Sequence, residues 1–435
     1  MSKRTPSRVG RRALAVPAIA AVVFAGACST VEESDEETIG TGVTSEPCPD
    51  AVNPDNGCIY LGVLSDLEGG PVAALAVPMN EGQIAFWRTV NENGGIGGYD
   101  IDVTANTRNT AYDPQRHAAA YQQIEPNILA LAMSLGTINT EAVLDQMDAS
   151  DLVAVPGAWW SGFQFPDTDL GLILESGYSY CTESVIGLDW FAETHGKPET
   201  VVTVGFPGDY GGDSAEGARL WAEANDVEVS AQIDSAPNQI AGNQAAAIGQ
   251  IVSLQPDVVL LAVTPAEAAE IVAGSVQAGY AGRFMGSVPS FNPALLNTPA
   301  AGALTSLYNH IGPWQGWDGD SEGITAIKES TGGTLPSNQG YLFGWTLSYP
   351  IKALLEKAAD EGTLTRAGLR DAVEGLEVDY QGILPTATLG EQPSLDSQSA
   401  TISVPDPAVE LGVRTLVNDF RASTEIDYSG PCSDS

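Results

Sequence analysis

Three histidines, five cysteines and one tight run of carboxylates are the side chains in this 435-residue sequence whose types and spacing could carry chemistry. Asp318, Asp320, Glu322, Gly323 and Glu329 fall at positions 1, 3, 5, 6 and 12 of a calcium-binding EF-hand loop, a spacing that gathers oxygens around a hard cation. GPWQGW stands before them where that motif has a helix, and Glu is unusual at the fifth position. The competing reading is an acidic helix start, with carboxylates favoured by the helix dipole. His117 lies inside a helical stretch, His195 precedes Gly196 at a helix end, and His310 stands apart from both. Each reads as a surface or capping residue. There is no Gly-x-Ser-x-Gly elbow and no phosphate loop, since Gly196-Lys197 runs into Pro198 without the upstream glycine spacing. These residues favour binding over catalysis, with no metal and no cofactor.

Charge narrows the partners. Lys and Arg number 18 against 56 Asp and Glu, a formal charge of −38. A surface that acidic repels phosphate backbones and excludes a nucleic-acid partner. With 43% hydrophobic and 17% charged residues, the composition is that of a globular protein with room for two or three lobes.

The N-terminus reads as an export signal. Lys3, Arg4, Arg8, Arg11 and Arg12 precede an apolar run from Ala13 to Ala27, too short for a comfortable permanent span. It ends in Phe24-Ala25-Gly26-Ala27-Cys28, which resembles a bacterial lipoprotein signal with Cys28 as the lipidated residue, although Ala25 stands where Leu is usual. Removal of residues 1–27 leaves 13 basic and 56 acidic residues, a charge of −43. Anionic lipid repels such a body, so covalent lipid rather than charge would hold it at the cell membrane, extracytoplasmic. Residues 28–57 read as an acidic tether. Four cysteines remain for an oxidising compartment. Cys48 and Cys58 flank a turn-rich stretch and close the smallest loop, which leaves Cys181 for Cys432.

The elements that must position any site alternate in type. Short apolar runs at Ile59–Leu64, Asp100–Thr104, Ile128–Met133, Leu152–Val155, Val201–Gly205, Val227–Ile233, Val258–Val263 and Arg283–Gly286 read as strands buried on both faces. Helices are expected over 113–125, where Asp113-Pro114 makes a start signal, and over 265–279, opened by Thr264-Pro265. A helical pair is expected over 340–361 and 365–376. This repeated alternation means α/β with parallel sheets, closed into a barrel or divided between two lobes.

The order of several segments settles that choice by resemblance. LGVLSDLEGG, NENGGIGGYDI, DPQRHAAAYQQI, the Asp209-Tyr210-Gly211 turn, QPDVVLLAV and GYAGRFMGS follow one another over about residues 58–390. Together they resemble the type I periplasmic binding proteins of the leucine/isoleucine/valine class, which feed ABC importers. The resemblance implies two doubly wound parallel-sheet lobes joined by three crossings. It places one lobe at 58–177 plus 314–385 and the other at 178–313 plus 386–432. The partners it implies are a small-molecule ligand and ABC permease subunits, with membrane contact through the lipid anchor.

In that family the ligand lies between the lobes. Carried onto this chain, the first loop offers Ser65, Asp66 and Glu68. Gly136 and Thr137 belong to the Ser/Thr loop expected to hold a ligand carboxylate; a helix N-cap is the alternative role for Thr137, and Asn139 could fill it equally. Two positions depart from the pattern. Ala158-Trp159 stands where a hydroxyl is expected, and Ser287-Val288 where the ammonium-binding acid would be. Tyr210 keeps the cleft tyrosine, and Thr264 lies in a loop without the familiar aromatic. Trp159 is either a packing residue or a ligand wall. The implied function is capture of a small organic solute, amino-acid-like or aromatic with a polar end, without catalysis. A ligand-sensing surface receptor on the same fold is the alternative.

Overall fold

The computed structural model describes residues 40–390 and 398–434. The signal at 1–27, the lipidation at Cys28 and the tether up to residue 39 lie outside the described residues. Strand-forming runs rich in Val, Ile and Leu build two main sheets. The first holds β1 (Val43–Thr44), β2 (Gly57–Ser65), β3 (Tyr99–Asn109), β4 (Ala130–Ser134) and β5 (Ala154–Pro156). β2 lies parallel to both β3 and β4, and β5 extends the sheet beyond β4. Every residue of β4 and β5 is buried, as continuous apolar runs covered on both faces require.

The second sheet begins with β6 (Thr200–Gly205), β7 (Glu228–Asp234), β8 (Val258–Ala262), β9 (Arg283–Gly286) and β10 (Tyr308–Gly312). A small hairpin of β11 (Glu377–Val378) and β12 (Ala387–Thr388) intervenes before β13 (Ala400–Pro405) and β14 (Val413–Phe420). The order across this sheet is β14-β13-β10-β9-β8-β6-β7. β6 to β10 are parallel, and β13 and β14 join antiparallel at one edge. All eight expected strands form, within a residue or two at most boundaries. β10, β13 and β14 were not expected. Tyr308-Asn309-His310 interrupts any apolar run, and β14 largely alternates half-buried with exposed residues as an edge strand does.

The segment expected to be a tether is in part folded. β1 pairs antiparallel with the start of β2, and Cys48 is bonded to Cys58. Buried Asp100 gathers the loop between them by accepting from the backbone N–H groups of Val52 and Asn53 and the amides of Asn53 and Asn56. Similarly, residues 386–390 do not go with the second sheet as expected. β12 pairs with β11, and Leu389 packs in the first core.

Helices cover both sheets. Pro114–Ile124 is capped by the Asp113 side chain and Pro265–Gln277 starts on Pro265, close to the expected bounds. The helix expected over 340–361 is broken into Gly340–Thr346 and Tyr349–Glu361. Pro350 explains the break, since its ring clashes with the carbonyl four residues back and it has no N–H to donate. Gly340–Thr346 packs on the helix Ala73–Glu92 at near-backbone distance. A Cβ on Gly82 would lie 1.9 Å from the Tyr341 carbonyl oxygen, and one on Gly344 1.7 Å from that of Met79. Cys181 is bonded to Cys432, pinning the C-terminal segment to the helix Tyr180–His195. Among the described residues, no helix is long and apolar enough to cross a membrane.

Candidate ligand-binding cleft

Aromatic side chains from both halves close into a seam of rings. Phe343 meets Trp314 at 4.3 Å between centroids, Trp314 meets Trp159 at 5.3 Å, and Trp159 meets Tyr180 at 6.0 Å. Tyr180 then lies 4.6 Å from Tyr210. The first core continues across this seam, taking in Tyr180 and Val288 from the second sheet's half. Trp159 is buried and donates its ring N–H to the Ser176 carbonyl at 2.9 Å, so it packs the seam.

The loop residues expected at the cleft divide into two groups. Thr137, Tyr210 and Ser287 come together near the seam. Tyr210 and Ser287 share a short hydroxyl–hydroxyl hydrogen bond, and the Tyr210 hydroxyl also reaches the Val263 carbonyl. Thr137 opens the helix Thr137–Asp148 and is fully buried, and its hydroxyl satisfies no ordinary hydrogen-bond geometry. Gly136 before it has φ of +94°, and a Cβ there would lie 2.6 Å from the Tyr112 ring. That backbone region and that contact both require glycine. The N-cap position is Gly136, so neither Thr137 nor Asn139 caps this helix with its side chain; Asn139 donates instead to the Leu135 carbonyl.

The others serve the framework. Ser65 ends β2 and accepts the Thr110 N–H on its carbonyl. Asp66 is buried with its carboxylate committed to the N–H groups of Gly70 and Val72. Glu68 is exposed, Ala158 is packed in the first core, and Thr264 gives its hydroxyl to the Glu267 carboxylate.

Four cleft residues were not read from the sequence. A carboxyl group does lie beside Ser287-Val288: Glu183, in the first turn of Tyr180–His195, accepts the Val288 N–H at 3.0 Å and the Tyr178 hydroxyl at 3.2 Å. Its second oxygen has no partner, and burial raises the carboxyl to about 8 against those two donors. Asp209 is the first residue of the helix Asp209–Ala224, in the opposite half from Thr137. Burial raises its carboxyl, while the Thr137 hydroxyl and the Tyr210 N–H hold it down. Tyr112 and Tyr180 complete the group, both raised by burial and by neighbouring carboxylates or tyrosines. Only Asp209, adjacent to Tyr210 in the turn already singled out, carried a usable signal. Glu183 lies 105 residues from the loop it meets.

Beside the cleft, the passage between the sheets holds a second set of acids. Asp213 accepts from the Ser161 N–H and hydroxyl and from the Cys181 N–H. It also accepts from the Ser433 hydroxyl at 3.2 Å. Burial raises Asp213 to about 7, and Asp169 to about 7 likewise. Glu175 is 7% exposed with both carboxyl oxygens unpartnered, and burial, then Asp213 and Asp169, push it well up.

The remaining candidates for chemistry are placed differently from expectation. His117 and His310 are buried, not at the surface. His117 Nε2 meets the Ser134 hydroxyl and His310 Nε2 the Val288 carbonyl, and burial lowers both to about 4, so they are neutral. His195 is exposed at a helix end, as expected. In the acidic run, Asp318 bonds the Thr415 N–H and hydroxyl, and Lys328 donates to the Gly319 carbonyl. Ser321 caps the helix Glu322–Ser330, so the helix-start reading holds. Among the described residues no three His, Cys, Asp or Glu side chains group as metal ligands.

No curated protein is significantly similar in sequence. A fatty acid ABC transporter substrate-binding protein from Thermomonospora curvata superimposes with a TM-score of 0.78 at 24% identity, over 88% of this chain and 95% of that one. A branched chain amino acid ABC transporter protein from Thermus thermophilus with bound valine gives 0.72 at 15% identity, over 85% and 98%. An R. palustris solute binding protein in complex with benzoate gives 0.65 at 16%, again over 85% and 98%. At these identities the likeness establishes the two-sheet fold, and the sequence match carries the family. The family model for periplasmic binding proteins matches residues 59–398, most of the described body, and the chain therefore belongs to the type I periplasmic binding protein family, whose members bind solutes rather than transform them.

Proposed function

We propose that this chain is the extracytoplasmic solute-binding subunit of an ABC importer, held at the cell membrane by lipid on Cys28. It captures a small organic solute with an apolar or aromatic body and a polar end between two lobes, one built on β1–β5 and the other on β6–β10 with β13 and β14. Loss and gain of solute opens and closes the lobes, and the closed form docks on the permease. The observation that carries this reading is the ring seam from Phe343 through Trp314, Trp159 and Tyr180 to Tyr210, which crosses from one half to the other. Rings in a closing cleft supply apolar area at low entropy cost, while Thr137 and Ser287 supply polar contacts. Mass spectrometry of molecules released on gentle unfolding, followed by titration with the wild type and Trp159→Ala, tests it. Tight leucine or valine binding that ignores Trp159→Ala would return the chain to ordinary amino-acid specificity. Cys28→Ser is expected to move the protein from the membrane fraction to the soluble one; a wild type that takes up no fatty acid refutes the anchor.

A further inference from the structure

The segment that follows β14, residues 421–434, forms neither helix nor strand, yet it is tied down from root to tip. Its root is held on the second half. Buried Asp189, in the helix Tyr180–His195, accepts the N–H groups of Ser423 and Thr424 at 2.6 and 2.7 Å and the Thr424 hydroxyl at 2.7 Å. Ile426 packs against the core that this helix shares with the second sheet. The bridge from Cys432 to Cys181 then returns the strap to the same helix.

The tip reaches the other half. Trp160 belongs to the first core, and Ser161 beside it is gripped from two sides. The Ser161 hydroxyl accepts the Cys432 N–H at 2.8 Å and donates to the Asp213 carboxylate at 2.6 Å. Asp213, in the helix Asp209–Ala224, also accepts the Ser161 N–H at 2.9 Å and the Ser433 hydroxyl at 3.2 Å. Trp160 donates its ring N–H to the Ser433 carbonyl at 3.0 Å. That ring has little freedom, since it meets Phe163 edge-on at 5.4 Å and a Cβ on Gly162 would lie 2.3 Å from it. The tip therefore sits between the elements that carry cleft rings. Trp160 follows Trp159 directly, and the Ser433 hydroxyl lies 3.5 Å from where a Cβ on Gly212 would stand, two residues after Tyr210. Parting the halves at this point would strip partners from buried donors and from a buried acid, a cost that the strap adds to opening.

Given the two-lobe binding role proposed above, we infer that the strap tip Cys432-Ser433 is a positioning element of the cleft: fixed to the second half through Cys181, it grips Trp160 and Ser161 of the first half and biases the solute-free protein toward the closed arrangement. Single-molecule energy transfer between dyes on unnatural residues at exposed Gln115 and Glu193, one in each half, reads the open fraction of the solute-free, full-length protein. Trp160→Phe with Ser161→Ala removes both strap contacts and keeps the bridge, and is expected to raise the open fraction about tenfold, the effect of one to two hydrogen bonds. Cys432→Ser is expected to raise it as well, and decides alone if the double variant does not fold. Thr424→Val weakens only the root on Asp189, so it should lower unfolding stability and leave the open fraction unchanged. An unchanged open fraction in the double variant or in Cys432→Ser, or an equal rise in Thr424→Val, overturns the inference. A wild type already open without solute overturns it likewise. Each of these results leaves the binding role standing, which the molecules released on unfolding test separately.

Discussion

Replacing Glu175 by Gln is expected to flatten the pH dependence of stability between about pH 5 and 7. Glu175 is buried, neither of its oxygens has a partner, and burial together with Asp213 and Asp169 raises its carboxyl well above 4.5. The folded chain therefore keeps a proton that the unfolded chain releases just above its ordinary value. For a carboxyl raised in this way, stability is fully present below the unfolded value and is lost as pH rises toward the folded one. Each pH unit in that window removes about 1.4 kcal/mol per group, so two units remove at most about 3 kcal/mol. Asp169 and Asp213, both raised to about 7, and Glu183, raised to about 8, act with the same sign and remain in the variant. Urea unfolding at pH 5, 6 and 7, with equal m-values, measures the difference. The variant should gain on the wild type as pH rises from 5 to 7, by at most about 3 kcal/mol. Parallel pH profiles for the two proteins would refute the argument, because they would mean that Glu175 ionises in the fold as freely as in water.

Three further outcomes follow from single contacts. Cys432→Ser opens a bridge that joins residues 251 apart, and about 2–4 kcal/mol should be lost in non-reducing denaturation; unchanged stability would mean that the bridge constrains nothing. Asp100→Ala removes a carboxylate that holds Val52, Asn53 and Asn56, at about 2–3 kcal/mol. Faster hydrogen exchange in residues 48–58 is the specific sign, and protection equal to wild type would count against it. Gly344→Ala forces a methyl group to within 1.7 Å of the Met79 carbonyl oxygen, so the helix Gly340–Thr346 must move off Ala73–Glu92 at a cost of about 1–3 kcal/mol or more. An unchanged melting temperature would show that the two helices are not in contact.

The framework was legible because strands and helices are written in local pattern. Runs such as Val258–Val263 are apolar on both faces and too short for a helix, and Asp113-Pro114 states a helix start in two residues. Hydrophobic period and capping chemistry act over a few residues, so they can be read from a few residues. The pairing of Cys48 with Cys58 is local in the same sense, and the second bridge followed from the count. The edge strand β14 escaped because an exposed edge needs no continuous apolar run.

The cleft was only half legible, for a physical reason. Thr137, Tyr210 and Ser287 lie in loops that follow strands, and an open parallel sheet sends all such loops to one end. Trp159 announced itself by standing where a hydroxyl was expected, but its burial in a seam with Tyr180 and Trp314 is a property of packing. The chain appeared to lack a second-half acid because the expected loop has none. Tertiary structure brings Glu183 to the Val288 N–H across 105 positions. Whether a carboxylate is a solvated surface charge or a buried group with a pKa near 8 depends on what is packed over it. That is decided by which helices meet, and no spacing along the chain encodes it.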